Sequence, residues 1–503
     1  MNQDNGGIIG KINTPTTSVA SGVWTLDSQF EAQSSSIWPL AFPQTTFTNS
    51  VRLDTDTTFT RTLGASPTNA KKGTISFWFK KVATPNSSSY GRFVHIGSTG
   101  NDLSLYTIDD YFQWYIDGAT NGTSSTSGAR LYRDQSAWYH IIYAFDSTQA
   151  TAADRIKIYI NGELQDSTAQ PTTTSVTLNT DIFDASHDFC IGATNSTSLT
   201  QNLDGYLAEF IYIDGTQLDA TSFGATNPVS NIWEPISYAG TYGTNGFKLN
   251  FSDSSALGDD TSGNGNDFTV NNLTSIDQST DTPSNNFATL NPLSTVHTEN
   301  ISSMLSEGNT KYDPTGDYSI VKSTIPFPES GKWYVEIKLG TSGTIDGQFG
   351  VMRIPATSNG TNSYIGYNTN DAGYAYYNGK VKRSTGGSGD TRTDVATGLA
   401  TYSSGDTLAL LFNADDNEIK WYVQDSLEYT LDLSSAPHGF YANDGEWVFA
   451  MSAYGTYTTF NVNFGNPSVS ISSGNTDGNG YGNFEYSTKS GYALCTKNLA
   501  EFG

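Results

Sequence analysis

The stretch YIGYNTNDAGYAYY sets Tyr364, Tyr367, Tyr374, Tyr376 and Tyr377 among asparagine and aspartate. Tyrosine joins an apolar ring to a polar tip, so rings in such a setting can stack on a sugar and hydrogen-bond it. The expectation is a glycan-binding loop; the competing reading packs some rings into a core and lays others on a strand face. A second set, Asp259, Asp260, Asn264, Asn266 and Asp267, lines a glycine-rich turn with the oxygen ligands that calcium takes. The spacing is not that of an EF-hand, and a plain Asn/Asp/Gly turn competes with the calcium reading. Trp24, Phe30 and Trp38 gather apolar surface near the start of the chain. Large aromatics dominate interface energies, so these three either fold back onto the chain or dock it on a partner.

Catalysis finds less support. Glycoside hydrolysis on a β-sandwich needs carboxylates at alternate positions of one strand, and no Glu-x-Asp-x-x-Glu strand is present. The acidic groups Asp253/Asp259/Asp260 and Asp415/Asp416/Glu418 fall in turn-forming sequence. Of the histidines His95, His140, His187, His297 and His438, only His95 and His140 lie inside strand patterns. None has the spacing of a Ser-His-Asp triad or a metal site, and SGNGND lacks the Lys–Ser/Thr pair and following helix of a phosphate loop. The chain is therefore expected not to be an enzyme, and to need no cofactor apart from calcium at the acidic turn. Cys190 and Cys495 cannot build a disulfide framework and are expected to be reduced, partly buried thiols.

These residues need elements to hold them, and the elements read as strands. TISFWFKK (74–81) alternates Ile75, Phe77 and Phe79 against Ser76, Trp78 and Lys80. RFVHIG (92–97), DYFQWYID (110–117), AWYHIIYAFD (137–146), RIKIYING (155–162) and YLAEFIYIDG (206–215) continue the pattern. Asn161–Gly162 is the dipeptide of a type I′ hairpin turn. A second block holds GKWYVEIKL (331–339), QFGVMRI (348–354), GDTLALLFN (405–413), EIKWYVQ (418–424), GEWVFAMSAY (445–454) and TTFNVNFG (458–465). Short strands stopped by Gly, Asp and Asn, with no long helical period, indicate sandwiches rather than βαβ units. Ser28 and Glu31 have capping-box spacing, which predicts one short helix near 25–34. The predicted organisation is a 1–45 N-terminal arm, a 46–225 β-sandwich, a 226–284 polar bridge, a 285–470 β-sandwich and a 471–503 C-terminal extension.

Composition agrees. The 503 residues include 29 Tyr, 26 Phe and 49 Gly, only 15% are charged, and the net charge is −25. Aromatic-rich and weakly charged is a β-protein composition and not a disordered one. Acidity of this degree repels phosphate backbones, so no nucleic acid is expected as partner. No apolar run approaches the roughly 18 residues of a membrane span, so no membrane insertion is expected. MNQDNGGIIG shows no basic region leading into an apolar one, so no secretory signal is expected.

Three resemblances extend this reading. ISFWFK, WYHIIYAFD, IKIYINGEL and LDGYLAEFIYIDG, in that order, resemble the LamG-like, concanavalin-type jelly-roll family. SGKWYVEIKL, FGVMRI, YIGYN with YYNGK, GDTLALLFNADDNEIKWYVQ and VNFG resemble a SPRY domain, also a concanavalin-type sandwich. Where that family closes its hairpin on Asn–Gly, Gln424–Asp425–Ser426 stands here, which leaves the turn type open. The opening GGIIGKINTPTTSVASGVWTLDSQFEAQSSSIWP, the segment GFKLNFSDSSALGDDTSGNGNDFTVNNL and the closing SGYALCTKNL are similar to segments of marine bacteriophage virion proteins of tail-fibre or appendage type. The resemblance implies an all-β virion protein, assembled in the host cytoplasm, with two concanavalin-like jelly-roll β-sandwich domains, an extended N-terminal arm and a short C-terminal extension. It implies docking on other virion proteins through the arm, a homo-oligomer, by likeness to fibres a trimer, and non-catalytic adhesion to a host-surface glycan. A capsid-decoration or tail-associated structural protein, and a glycan-degrading enzyme, are the competing functions.

Overall fold

A computed structural model describes residues 45–82, 90–97, 103–108, 110–116, 131–165, 176–185, 187–194, 201–227, 230–293, 301–314, 319–340, 347–354, 364–365, 373–383, 393–434, 446–453 and 459–502. Trp24, Phe30, Trp38, the short helix near 25–34 and Tyr367 lie outside them. The described residues divide into two compact units. The smaller holds Thr45, Thr46 and residues 220–239; the larger holds 47–219 and 240–502. In the smaller unit Gly224–Thr226 pairs with Trp233–Pro235, Phe223 stacks on Tyr238, and Thr45 N donates to Pro235 O.

The larger unit is two β-sandwiches, as the alternation predicts. In the first, an eight-stranded sheet runs Gln278–Ser279, Ser50–Leu53, Gly205–Asp214, Lys72–Lys81, Trp138–Asp146, Ile156–Ile160 and Glu163–Leu164, with Phe247–Leu249 also pairing to Gly205–Asp214. It faces a six-stranded sheet of Thr269–Asn271, Thr58–Thr62, Asp188–Ile191, Gly91–Gly97, Leu103–Ile108 and Tyr111–Ile116. Ile75, Phe77 and Phe79 point into one core with Phe93, Phe189 and Phe210. Asn161 and Gly162 both take positive φ at the predicted hairpin.

In the second sandwich, Leu305–Ser306, Lys311–Tyr312, Phe460–Asn463, Lys332–Leu339, Thr407–Asn413, Glu418–Val423 and Ser426–Asp432 form one sheet. Ser319–Lys322, Glu446–Ala453, Gly347–Ile354, Gly373–Tyr377, Lys380–Arg383 and Thr393–Thr397 form the other. Gln424 and Asp425, at φ 48° and 69°, make the tight turn whose type the sequence left open, with the two positive values of a type I′ turn.

Two predicted boundaries change. The polar bridge 226–284 does not stand apart: Phe247–Leu249, Thr269–Asn271 and Gln278–Ser279 add strands to the first sandwich, and residues 226–239 belong to the smaller unit. Phe247, Leu249 and Phe251 are buried in that sandwich's core, which is what their alternation was for. The C-terminal extension is likewise integral. Tyr492–Ala493 pairs in parallel with Lys332–Leu339, and Thr496–Phe502 is a helix that the sequence reading did not foresee. Two buried carboxylates fasten this segment. Glu336 accepts from the Glu485 and Tyr486 amides at 2.9 and 2.8 Å, while Asp477 accepts from Asn479 N, Tyr481 N, Ala493 N and Asn498 Nδ2.

The sandwiches meet through a buried polar junction. Lys80 Nζ, wholly buried, donates to Asp281 Oδ2 at 2.7 Å, Asn286 Oδ1 at 2.7 Å and Phe287 O at 3.0 Å, and Trp138 Nε1 donates to Asp281 Oδ1 at 2.9 Å. Arg52 reaches Pro467 O at 2.8 Å and also Ile276 O. Tyr206 Oη donates to Gly308 O at 2.8 Å, and Asn309 Nδ2 to Val82 O at 3.1 Å. Gly308 has φ 66°, and a Cβ there would sit 2.2 Å from Tyr206 Oη, so the turn that docks on Tyr206 requires glycine. Among the described residues, no helix is long and apolar enough to cross a membrane.

Candidate functional site

The tyrosine cluster scatters when folded. Tyr374 and Tyr376 alternate inward on Gly373–Tyr377 and are buried, the first stacked on Trp447 and the second donating to Ala400 O at 2.6 Å. Burial pushes the Tyr374 hydroxyl up to about 12 and Tyr376 further in the same direction. Both are core residues and have no ring face to offer a sugar, which corrects the glycan-loop reading for this pair. Tyr364 and Tyr377 are half-buried, on different segments.

The acidic turn spends most of its polar groups on the protein itself. Asp260 accepts four hydrogen bonds, from Lys248 N, Ser262 N, Ser262 Oγ and Asn266 N, at 2.8 to 2.9 Å. Those occupy the roughly four lone-pair positions a carboxylate has. Asp267 accepts from Asp260 N, and Asn264 and Asn266 turn their amide N–H groups onto the carbonyls of Gly243, Thr244 and Gly246. Asn266 Oδ1 takes Arg61, a cation already in place. Burial lowers the Arg61 guanidinium while Asp260 and Asp267 hold it up, so its charge is the counterion of this turn. Four of the five residues, Asp260, Asn264, Asn266 and Asp267, are thus hydrogen-bonded within the protein, and Asp260 has no lone pair left for calcium. Among the described residues no group of three or more His, Cys, Asp or Glu side chains is placed to hold a metal.

The histidines in strands part company. His140 stacks on Trp78, with ring centroids 4.6 Å apart, and its Nε2 lies 2.9 Å from Ser76 Oγ. Burial drives it down to about 3, so it stays neutral and acts as core. Cys190 and Cys495 are free and buried, and burial raises both thiols, which makes them unreactive.

His95 belongs to a different arrangement. On Gly91–Gly97 a bulge shifts the register between Arg92 and Val94, and Phe93 and Val94 are both core residues. Strand residues three apart normally face opposite ways; the bulge brings Arg92 and His95 to one outward face. There Arg92 NH1 lies 3.3 Å from His95 Nδ1, and Ser104 Oγ 3.0 Å from the same nitrogen. Arg92 also reaches Ser104 Oγ and Gln201 Oε1. Since a guanidinium only donates, Nδ1 accepts, and the ring carries its hydrogen on Nε2. Cross-strand register sets Tyr115 opposite Ser104 and Tyr106 opposite both Arg92 and Gln113. Tyr90 meets Tyr106 edge to face at 5.2 Å. Tyr90, Tyr106 and Tyr115 are half-buried, as are Arg92 and His95. Burial raises the Tyr106 hydroxyl, with Tyr90 and Tyr115 adding to the shift and Arg92 opposing it, which leaves a neutral donor at neutral pH.

This face joins three tyrosine rings to a hydrogen-bonded Arg–His–Ser–Gln group. Sequence reasoning missed it because the bulge is invisible to alternation and Gln201 arrives from a distant loop. The signal present was His95 in a strand flanked by Arg92. The described strands of the face carry one carboxylate, Asp188, which accepts from Thr62 Oγ1.

The family Laminin_G_3, described as the concanavalin A-like lectin/glucanases superfamily, matches residues 54–214. No curated protein matches the chain. Among solved structures, mouse laminin alpha1 domains LG4-5 are 10% identical, covering 84% of each chain at a TM-score of 0.28. The SPRY domain of human HERC1 is 14% identical over 30% of this chain and 87% of its own, at 0.23. The native heptameric SAP-like pentraxin from Limulus polyphemus is 14% identical over 34% of this chain and 78% of its own, at 0.26. The chain is thus an all-β protein of two sandwiches, with a concanavalin A-like match across most of the first.

Proposed function

We propose that this is a non-catalytic adhesion protein that holds a glycan on the outward face of the six-stranded sheet of its first sandwich. The observation that carries the reading is the Tyr90–Tyr106–Tyr115 surface beside Arg92, His95 and Ser104. Aromatic rings take the C–H face of a sugar, and the fixed donors take its hydroxyls. Hydrolysis would need a pair of carboxylates about 5 to 9.5 Å apart, and Asp188 stands without a second on these strands. In context, the three segments similar to phage appendage proteins support the reading of a virion protein, docked through residues 1–45 on other virion proteins and presented as an oligomer, with the trimer as the form fibres suggest.

Glycan-array binding with the intact protein tests the site. Tyr106→Ala and Arg92→Ala should each weaken the signal at least tenfold with an unchanged fold; full binding by both would end the reading. Deleting residues 1–45 should abolish incorporation into particles while both sandwiches stay folded. The buried polar junction between the sandwiches favours a second reading, a decoration protein that stiffens a particle without a receptor role. Cryo-microscopy separates the two by location, at a tail tip or across a capsid.

A further inference from the structure

We propose that the cleft between the two sandwiches is a second ligand site, built for a neutral polyhydroxylated ligand of monosaccharide size. The cleft encloses about 310 Å³, the small end of the 300–1,000 Å³ usual for ligand pockets. One wall comes from the first sandwich through Asn49, Ser254, Ser275 and Gln278, the other from the second through Ser470 and Asn483. No residue of the sheet face described above contributes.

Its chemistry follows from the lining. An anion would need a cation, but no Lys or Arg lines the cleft. The neighbouring Arg52 spends its guanidinium on Ile276 O and Pro467 O. A metal would need carboxylates, and none lines it. An apolar ligand would bury hydroxyls and amides without partners, at about 1–3 kcal/mol each. Among the described residues the Ser254, Ser275 and Ser470 hydroxyls and the Asn483 side-chain amide have no protein partner, so four neutral groups stand ready to bond. Ile276, Pro467, Val469 and Ile471 supply aliphatic surface beside them. A pyranose has the matching form, a hydroxyl rim around C–H faces. With no aromatic side chain in the lining, stacking is absent, so binding should be weak and set by shape.

The site is also preformed. Arg52 ties Ile276 on one wall to Pro467 on the other, and Thr280 Oγ1 donates to Gly465 O at 2.8 Å across the same seam. Ligand binding therefore need not order the walls.

The test uses the intact chain carrying Tyr106→Ala, which removes the sheet-face site, and saturation-transfer NMR with millimolar methyl glycosides of glucose, galactose, mannose and N-acetylglucosamine. At least one neutral glycoside should give a signal, and adding Ser275→Trp, at an exposed position on the rim, should reduce it at least fivefold. Asn483→Ala, from the opposite wall, should do the same and guards against misfolding of the tryptophan variant. No signal in the Tyr106→Ala background, or one that survives both cleft variants, overturns the proposal. So does galacturonate binding as well as galactose. If Tyr106→Ala leaves glycan-array binding intact while Ser275→Trp abolishes the NMR signal, the sheet-face reading fails and the cleft stands.

Discussion

The two outward faces of the first sandwich are written in the same alphabet and end differently. On the eight-stranded sheet, Ser76, Trp78, Lys80, His140 and Tyr206 alternate with core residues and are all buried. On the six-stranded sheet, Arg92, His95, Tyr106 and Tyr115 alternate in the same way and remain half-exposed. Each face has aromatics, a cation and a histidine. The difference lies in the partners. Lys80 is matched by Asp281, which the chain brings back some two hundred residues later, and is wholly buried, whereas Arg92, hydrogen-bonded to Ser104 and Gln201 beside His95, stays half-exposed. A face whose charge is neutralised by a buried carboxylate becomes an interface. A face whose polar and aromatic groups stay half-exposed keeps them within reach of a ligand.

The comparison breaks most visibly at Lys80. Lys80→Met leaves Asp281 buried with Trp138, Asn466 and no cation. Removing one partner of a buried pair costs about 3–5 kcal/mol, which urea unfolding should read as a matching loss. Combining Lys80→Met with Asp281→Leu should recover most of it, because two apolar groups of similar volume need no pairing. If the single variant is no less stable than wild type, the junction is not held by this pair.

Gly308→Ala should come next. It adds a Cβ at φ 66° and 2.2 Å from Tyr206 Oη. Strain of that kind costs about 1–3 kcal/mol, and calorimetry should show a lower Tm. Gly308→Ala with Tyr206→Phe should regain little, since the positive φ persists.

Legibility divides along the same line. Local alternation placed the long central strands, such as Lys72–Lys81, Trp138–Asp146 and Lys332–Leu339, and the turn at Asn161–Gly162, because period-two burial is a property of neighbours in sequence. It did not single out Leu103–Ile108, Asp188–Ile191, Lys380–Arg383 or Ser426–Asp432. The strand Phe247–Leu249 lay inside the predicted bridge, since nothing local says which sheet an edge strand joins. The junction escaped because Lys80 and Asp281 are far apart in the chain. The sheet-face group escaped because a one-residue bulge cancels the alternation that would have been used to find it. The tyrosine cluster misled for the opposite reason: Tyr374 and Tyr376 are spaced by two, the period of a buried strand face, and composition outweighed periodicity.

A pH-dependent effect of intermediate size should appear beside the junction. Asp204 Oδ1 is buried with no hydrogen-bond partner, and burial, with Asp54 and Glu307 beside it, pushes the carboxyl up to about 7. Glu307, which faces it, is raised by burial too, while Arg52 and Lys311 oppose that rise and Asp54 and Asp277 add to it. The folded chain thus keeps the Asp204 proton where an unfolded chain has lost it. Stability from this group is full below the ordinary carboxylate range, falls as pH rises toward 7, and is flat above. Asp204→Asn should match wild type at pH 4 and exceed it at pH 8 by about 2 kcal/mol, less than full linkage because part of the side chain meets water. Parallel melting curves at the two pH values check this; equal stability at both would mean that Asp204 is ionised in the folded chain.

The smallest expected effect is the one that defines the other face. Tyr106 shares strand, alternation and residue class with much of the core, yet its ring is half-exposed and meets Tyr90 by its edge. Tyr106→Ala forfeits one edge-to-face pair and a little burial, less than about 1 kcal/mol. Trp78, equally outward on the opposite sheet but 4% exposed, should lose about 3–5 kcal/mol on truncation to alanine. Denaturant midpoints for the two variants therefore give a ratio with a meaning. A small loss at Tyr106 together with lost glycan binding marks a ring kept for a ligand. A loss as large as that of Trp78→Ala would make Tyr106 a structural residue, and the two faces would then differ in exposure without differing in kind.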